Sequence, residues 1–271
     1  MRNLLNESFS RLFKTKSFKV CLILVILIPV FIISVSKYLS TRFVDDVEVD
    51  MTADSCLFFM LGMLPLFIAI SPGLFIAKDF QQNTIRNKII SGYSRTAIYM
   101  ANWITCSFIT LLFHIMSTIV SVGVAAVLFD IGDLFTKVNL YYSLACIPVL
   151  LSFNSITVAM TMSIRNTAGA IFSYFIHELS AMFTGIMLLI KNKTVVEFLN
   201  YFIPMSQLSI IQSRNSYGGF AMMMEDIDVL DIAGYAIPKG FDAVALPLYA
   251  AILAAAVTAL GIWHFNKKDV K

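Results

Sequence analysis

The chain has 271 residues, 58% of them hydrophobic and 14% charged, with a mean hydropathy of +0.80. Soluble domains carry about 25% charged residues, so this composition excludes an ordinary soluble protein and points to one built for lipid. The net charge of +3 comes without any basic block, which removes the usual footprint of a nucleic-acid binder.

In chain order, Leu4, Leu5, Phe9, Leu12 and Phe13 fall on one face of a helix, with Arg2, Arg11 and Lys14 off it. That pattern predicts an interfacial helix lying along the inner leaflet. The basic residues and the apolar run after them resemble a signal peptide at first sight. However, the run continues past Pro29 to Ser36 with no small-residue cleavage pattern, so it reads as a first span.

Charge-free windows place six spans, at about 18–36, 55–77, 98–129, 138–164, 167–190 and 243–265. Together they predict an all-α membrane protein, one transmembrane domain over residues 1–271. The third window is longer than a bilayer crossing, so its first turns should stand in the cytoplasm or tilt strongly. With the N-terminus inside, the inner segments hold Arg2, Arg11, Lys14, Lys16, Lys19, Lys78, Arg86, Lys88, Arg95, Arg165, Lys267, Lys268 and Lys271. The first outer loop then holds Asp45, Asp46, Glu48, Asp50 and Asp54. This bias puts both termini in the cytoplasm. In the long outer loop over 191–242, residues 198–213 are uncharged, with Pro204 in their middle. They are too few for a crossing and suit a re-entrant helix pair. The acidic remainder, with Glu225, Asp226, Asp228 and Asp231, should face solvent.

A polar island over residues 78–91 separates the second and third spans. Phe80, Ile85 and Ile89 draw a narrow apolar stripe along it. Asp79 lies in its first turn and Arg86 and Lys88 toward its end, the polarity a helix macrodipole favours. Gly92 supplies a stop, and Ser94-Arg95 open the next span. A short amphipathic helix at this position predicts a docking element for a soluble partner. Lys78, Asp79, Phe80, Thr84, Ile85, Arg86, Lys88, Ile89 and Arg95 are its candidate contacts, with Arg95 equally suited to the phosphate layer.

Apart from Lys19 at the edge of the first span, Glu178 is the one charge inside the predicted spans, and a carboxylate there must be neutral, paired or facing water. Ser173, His177, Ser180, Ala181 and Thr184 form a small and polar stripe on the same helix, a surface suited to close packing or to lining a pathway. His177 and Glu178 lie about 100° apart around it. Ser173, His177, Glu178, Ser180 and Thr184 are therefore candidates for a pathway or subunit interface, with a structural hydrogen bond as the other reading of Glu178. Cys21, Cys56, Cys106 and Cys146 show no CxxC spacing and read as small core residues. No P-loop and no G-x-S-x-G occurs, and His177-Glu178 lacks the second His of H-E-x-x-H. An energised transporter built on this chain needs its ATPase on another polypeptide.

The stretch Gly73-Leu-Phe-Ile-Ala-Lys-Asp, then Asn83-Thr-Ile-Arg-Asn-Lys-Ile-Ile-Ser-Gly-Tyr-Ser-Arg and Ile98-Tyr-Met-Ala-Asn, resembles the region between the second and third helices of ABC-2 type transporter permeases. It departs from many members at Asn83, where Gly is common, and at Asn102, where Lys is common. The resemblance implies a six-helix bacterial exporter subunit in the cell membrane whose cytoplasmic helix docks an ABC ATPase. It implies two ATPases carrying the ATP and Mg, no cofactor in this chain, and a second permease subunit, identical or paralogous, paired through the first and fifth spans. It further implies a peptide, antibiotic or other amphipathic cargo. An ion- or proton-coupled carrier would show inverted repeats, which residues 1–130 and 131–271 do not display. An intramembrane hydrolase using His177 and Glu178 would have only His114 as a further ligand.

Overall fold

The computed structural model describes residues 1–43, 52–132, 134–187, 190, 193–213 and 245–267. The predicted acidic loop residues 45–50 and 225–231, and Lys268 and Lys271, lie outside them. The helices in chain order are α1 (Arg2–Lys14), α2 (Lys16–Phe43), α3 (Leu64–Gln81), α4 (Thr84–Ile90), α5 (Arg95–Leu128), α6 (Lys137–Ile164), α7 (Thr167–Met187), α8 (Lys193–Phe202), α9 (Pro204–Ser213) and α10 (Ala245–Lys267). A single 3-10 turn, Leu61–Met63, leads into α3. No strand occurs among the described residues; the extended chain contributes one isolated bridge, Thr52 to Asp130.

Among the described residues, five helical segments are long and apolar enough to cross a membrane: Lys16–Leu39, Leu61–Gln81, Arg95–Leu128, Lys137–Ile164 and Ala245–Lys267. They are compatible with a multi-pass membrane protein. α7, within the fifth predicted span, is helical over Thr167–Met187 and is not among the five. Three boundaries shift. α2 runs on past Ser36 to Phe43. Residues 55–60 are turns and not helix, and α3 runs on past Ala77 through Lys78 and Asp79 to Gln81. Asp79 is accommodated within α3 because Arg11 of α1 supplies a neutralising partner, as shown below.

α6 is the central post, packed on α10, α7, α3, α5 and α9. α2 covers α5 and α3 on one side, and α10 closes the other against α6 and α5. Phe113 of α5 anchors the core, stacked on Phe18 at 5.9 Å and edge-on to Phe67 at 6.5 Å. All four cysteines are buried and free. Ser94 and Thr136 cap α5 and α6 by accepting hydrogen bonds from the N–H groups of Ala97 and Asn139.

α5 has 34 residues and is therefore about 50 Å long, well beyond the ~30 Å hydrocarbon core. α1 packs against it. Leu4, Ser8 and Leu12 are fully buried, and Phe9 meets Phe108 edge-on at 5.2 Å. The expected interfacial helix thus turns its apolar stripe to α5, leaving Phe13 exposed. An amphipathic pattern reports that a face is covered without saying by what. The predicted pair over 198–213 appears as α8 and α9, broken before Pro204, with Leu208 and Ile211 of α9 buried in the main core.

Candidate functional site

The α3–α4 elbow is made by backbone geometry that the local sequence allows. Gln82 N–H donates to Lys78 C=O and Asn83 N–H to Phe80 C=O, closing α3. Asn83 then takes the left-handed conformation, φ 55° and ψ 17°, which Asn tolerates better than most residues. The helix predicted over 78–91 is therefore two, because this turn re-aims the chain. α4 ends in a Schellman arrangement: Gly92 has φ 86°, its N–H donates to Ile89 C=O, and Tyr93 N–H donates to Lys88 C=O.

The apolar stripe of this region faces the chain's own core. Ile85 has no exposed surface, Phe80 packs edge-on near Phe265 at 6.5 Å, and Ile89 is half-buried. Thr84 and Lys78 are half-exposed. The outward surface consists of Gln81, Gln82, Asn83, Arg86, Asn87 and Ile90, the last 74% exposed.

Asp79 and Lys88 also turn inward, to 2% and 5% exposure, into an ionic cluster with α1. Arg11 Nη2 donates to Asp79 Oδ2 at 2.7 Å, and Nη1 lies 2.6 Å from Oδ1. Lys88 Nζ stands 3.8 Å from Asp79 Oδ2 and 3.7 Å from Glu7 Oε1, while Arg11 Nε is 3.5 Å from that same Glu7 oxygen. The Arg11 guanidinium also lies over the Phe75 ring at 5.7 Å. Burial pulls the Lys88 ammonium below the ordinary lysine range; the Asp79 and Glu7 carboxylates oppose that shift and Arg11 adds to it. The Glu7–Arg11 pair was visible in sequence as an i,i+4 spacing. Their meeting with Asp79 and Lys88 had no local signal.

Arg95 Nη1 donates to the Asn266 carbonyl at 3.0 Å, and Asn266 Nδ2 donates to Thr96 Oγ1 at 3.1 Å. This places a guanidinium at the carboxyl end of α10, where a cation is favoured.

α7 divides its candidate residues between two faces. Ser173 and His177 are buried, with His177 Nε2 3.1 Å from Thr157 Oγ1 and the imidazole edge-on to Phe153 at 4.9 Å. Ser173, Ser180 and Thr184 donate to the carbonyls of Ala170, His177 and Ser180 on their own helix. The small stripe brings α7 close to its neighbours. A Cβ on Gly73 would sit 2.5 Å from the Ala170 Cβ, and one on Gly169 would sit 2.6 Å from the Thr161 Cα. Glu178 points the other way and is exposed among Phe175, Leu179 and Met182, also exposed. Tyr174, one turn earlier, interacts with its carboxyl group.

Residues 22–271 match a family described as protein of unknown function (DUF2705). The chain belongs to that family. Neither the curated proteins nor the solved structures compared with it give a match. The stretch matched to DUF2705 carries Asp79, Lys88 and Glu178, whereas Glu7 and Arg11 precede it. Two surfaces of this DUF2705 chain therefore combine exposure with chemistry: the outer side of the α3–α4 elbow and the outer side of α7.

Proposed function

We propose that the chain is the membrane-spanning subunit of an ATP-driven transporter, an exporter docked to a separate ABC ATPase through the α3–α4 elbow. One observation carries this reading: a short helix between two long apolar helices is held rigidly from behind by a buried ionic cluster while presenting Arg86, Asn87 and Ile90 outward. Stiffness of that kind suits an element that passes motion from a soluble partner into a bundle. The resemblance of residues 73–102 to ABC-2 permeases agrees with it.

On this reading α7 is the sixth crossing and both termini face the cytoplasm. α8 and α9 form a re-entrant pair on the outer side, and two copies or paralogues pair in the cell membrane. ATP and Mg belong to the two ATPases. Lys78, Thr84 and Arg86 lie where a partner can reach them. Asp79, Ile85 and Lys88 act from within by fixing the elbow, and Arg95 acts by tying α5 to α10. The opposite facings of His177 and Glu178 weigh against an intramembrane hydrolase.

The test is co-purification from detergent with the ATPase, using Arg86→Glu and Ile90→Asp. Both positions are exposed, so the fold should persist while ATPase recovery and transport fall together. Full ATPase recovery with both substitutions combined would overturn the proposal.

A further inference from the structure

We propose that the outward face of α7 around Glu178 binds a lipophilic cation, a compound whose positive charge sits beside aromatic or aliphatic bulk. This rests on the reading of α7 as a crossing in a transport subunit, and it names the cargo class. Phe175, Leu179 and Met182 are exposed within about 100° of Glu178 around the helix, and Phe172 and Phe183 are exposed farther round. Phe175 and Met182 lie one turn to either side of the carboxylate along the axis, so an acid borders an otherwise greasy surface.

A carboxylate in that setting is costly when ionised and unpaired, and Tyr174, which interacts with it, brings no positive charge. The helix does not supply one: Thr167–Met187 contains no Lys or Arg, and the His177 imidazole is turned inward onto Thr157. A second copy presenting the same face would bring another Glu178 and again no cation from α7. Like charges meeting there disfavour direct closure of one α7 on the other. A group that is both cationic and apolar would complete the surface. Glu178 would hold its charge, the ring face of Phe175 would add cation–π attraction, and the Met182 thioether would adapt to its bulk. Two copies facing each other would form a passage with one carboxylate on either wall.

Tetraphenylphosphonium, a rigid aromatic monocation, is the probe. Its binding to the purified full chain in nanodiscs of neutral lipid is measured by equilibrium dialysis against empty nanodiscs. Saturable binding is expected, weakened about tenfold or more by Glu178→Gln, largely kept by Glu178→Asp, and reduced about threefold by Phe175→Leu. Triphenylphosphine oxide, neutral but similarly aromatic, should not compete. Binding no greater than to empty nanodiscs, or equal binding to the Glu178→Gln chain, would overturn the proposal. So would efficient cross-linking between Glu178→Cys copies that the probe does not slow, because that face would then be sealed by a second copy. ATPase co-purification is read separately through Arg86 and Ile90, so either proposal can fail while the other stands.

Discussion

Arg11 on α1 holds the Asp79 carboxylate at the end of α3 in a two-pronged grip of 2.7 and 2.6 Å, although 68 positions separate them. This pair makes the N-terminal helix part of the elbow. Asp79 has almost no contact with solvent, so its charge is tolerable only because Arg11 and Lys88 are there.

Replacing Arg11 with Met leaves that carboxylate with Lys88 alone, at 3.8 Å. The expected loss is about 3 kcal/mol, the low end for a broken buried pair, because Arg11 keeps 26% of its side chain exposed. The double variant Arg11→Met/Asp79→Leu should recover part of the loss, since no buried carboxylate remains and Lys88 keeps Glu7 at 3.7 Å. Thermal unfolding in detergent micelles measures both. A double variant no better than the single would show that packing, and not charge, holds α1.

Lys88 should impose an alkaline slope on stability. Its folded-state pKa lies below its unfolded value, chiefly through burial, so between the two the unfolded chain binds more protons. The cost of burying the ammonium is present in full below the folded pKa. It is relieved as pH rises from there toward 10.5. The stability difference between the wild-type chain and Lys88→Met should therefore shift in favour of the wild type across that window. Denaturant midpoints taken at stepped pH read it, and a flat difference would mean the ammonium is solvated.

Asn83 should tolerate Gly and reject β-branched residues. At φ 55° an L side chain costs about 1–2 kcal/mol, and Asn bears that cost better than Val. Asn83→Gly is expected to be neutral or slightly stabilising, and Asn83→Val to destabilise by about 1–2 kcal/mol. The Val chain should also lose ATPase recovery more than stability, because the aim of α4 changes first.

Contact between α3 and α7 should depend on Gly73. An added Cβ would meet Ala170 at 2.5 Å for Cβ and 3.0 Å for Cα, so Gly73→Ala forces the helices apart at about 1–3 kcal/mol. Ala170→Gly in the same chain should return part of that stability. Unfolding of the two single variants and the double gives the coupling; purely additive losses would place the strain elsewhere.

Ile85→Asp and Arg86→Glu should separate by mechanism. Ile85 is fully buried and Arg86 exposed, one residue apart. The first buries a carboxylate without a partner and should lower folded yield and melting temperature sharply. The second should leave both unchanged. Size-exclusion profiles of the two purified chains distinguish them.

The class of the fold was legible because lipid imposes a long-run constraint on composition. Runs free of charge located α2, α5, α6 and α10 to within a few residues, and Ser94, Pro204 and Gly92 marked helix ends through backbone chemistry that acts locally. The same locality explains the misses. The stripe of Phe80, Ile85 and Ile89 announced a covered face, but periodicity carries no information on whether a partner, lipid or the chain itself covers it. Leu4, Phe9 and Leu12 posed the same question, and α5 answered it by extending past one bilayer thickness and offering its own surface. Asp79 and Lys88 read as outward charges because their neutralising partners sit on a helix far away in sequence. Glu178 and His177 are neighbours in the chain and 100° apart on the helix. Which of the two turns to the core was decided by Gly73, Gly169 and Thr157, which allow close approach and a hydrogen bond on only one side of α7.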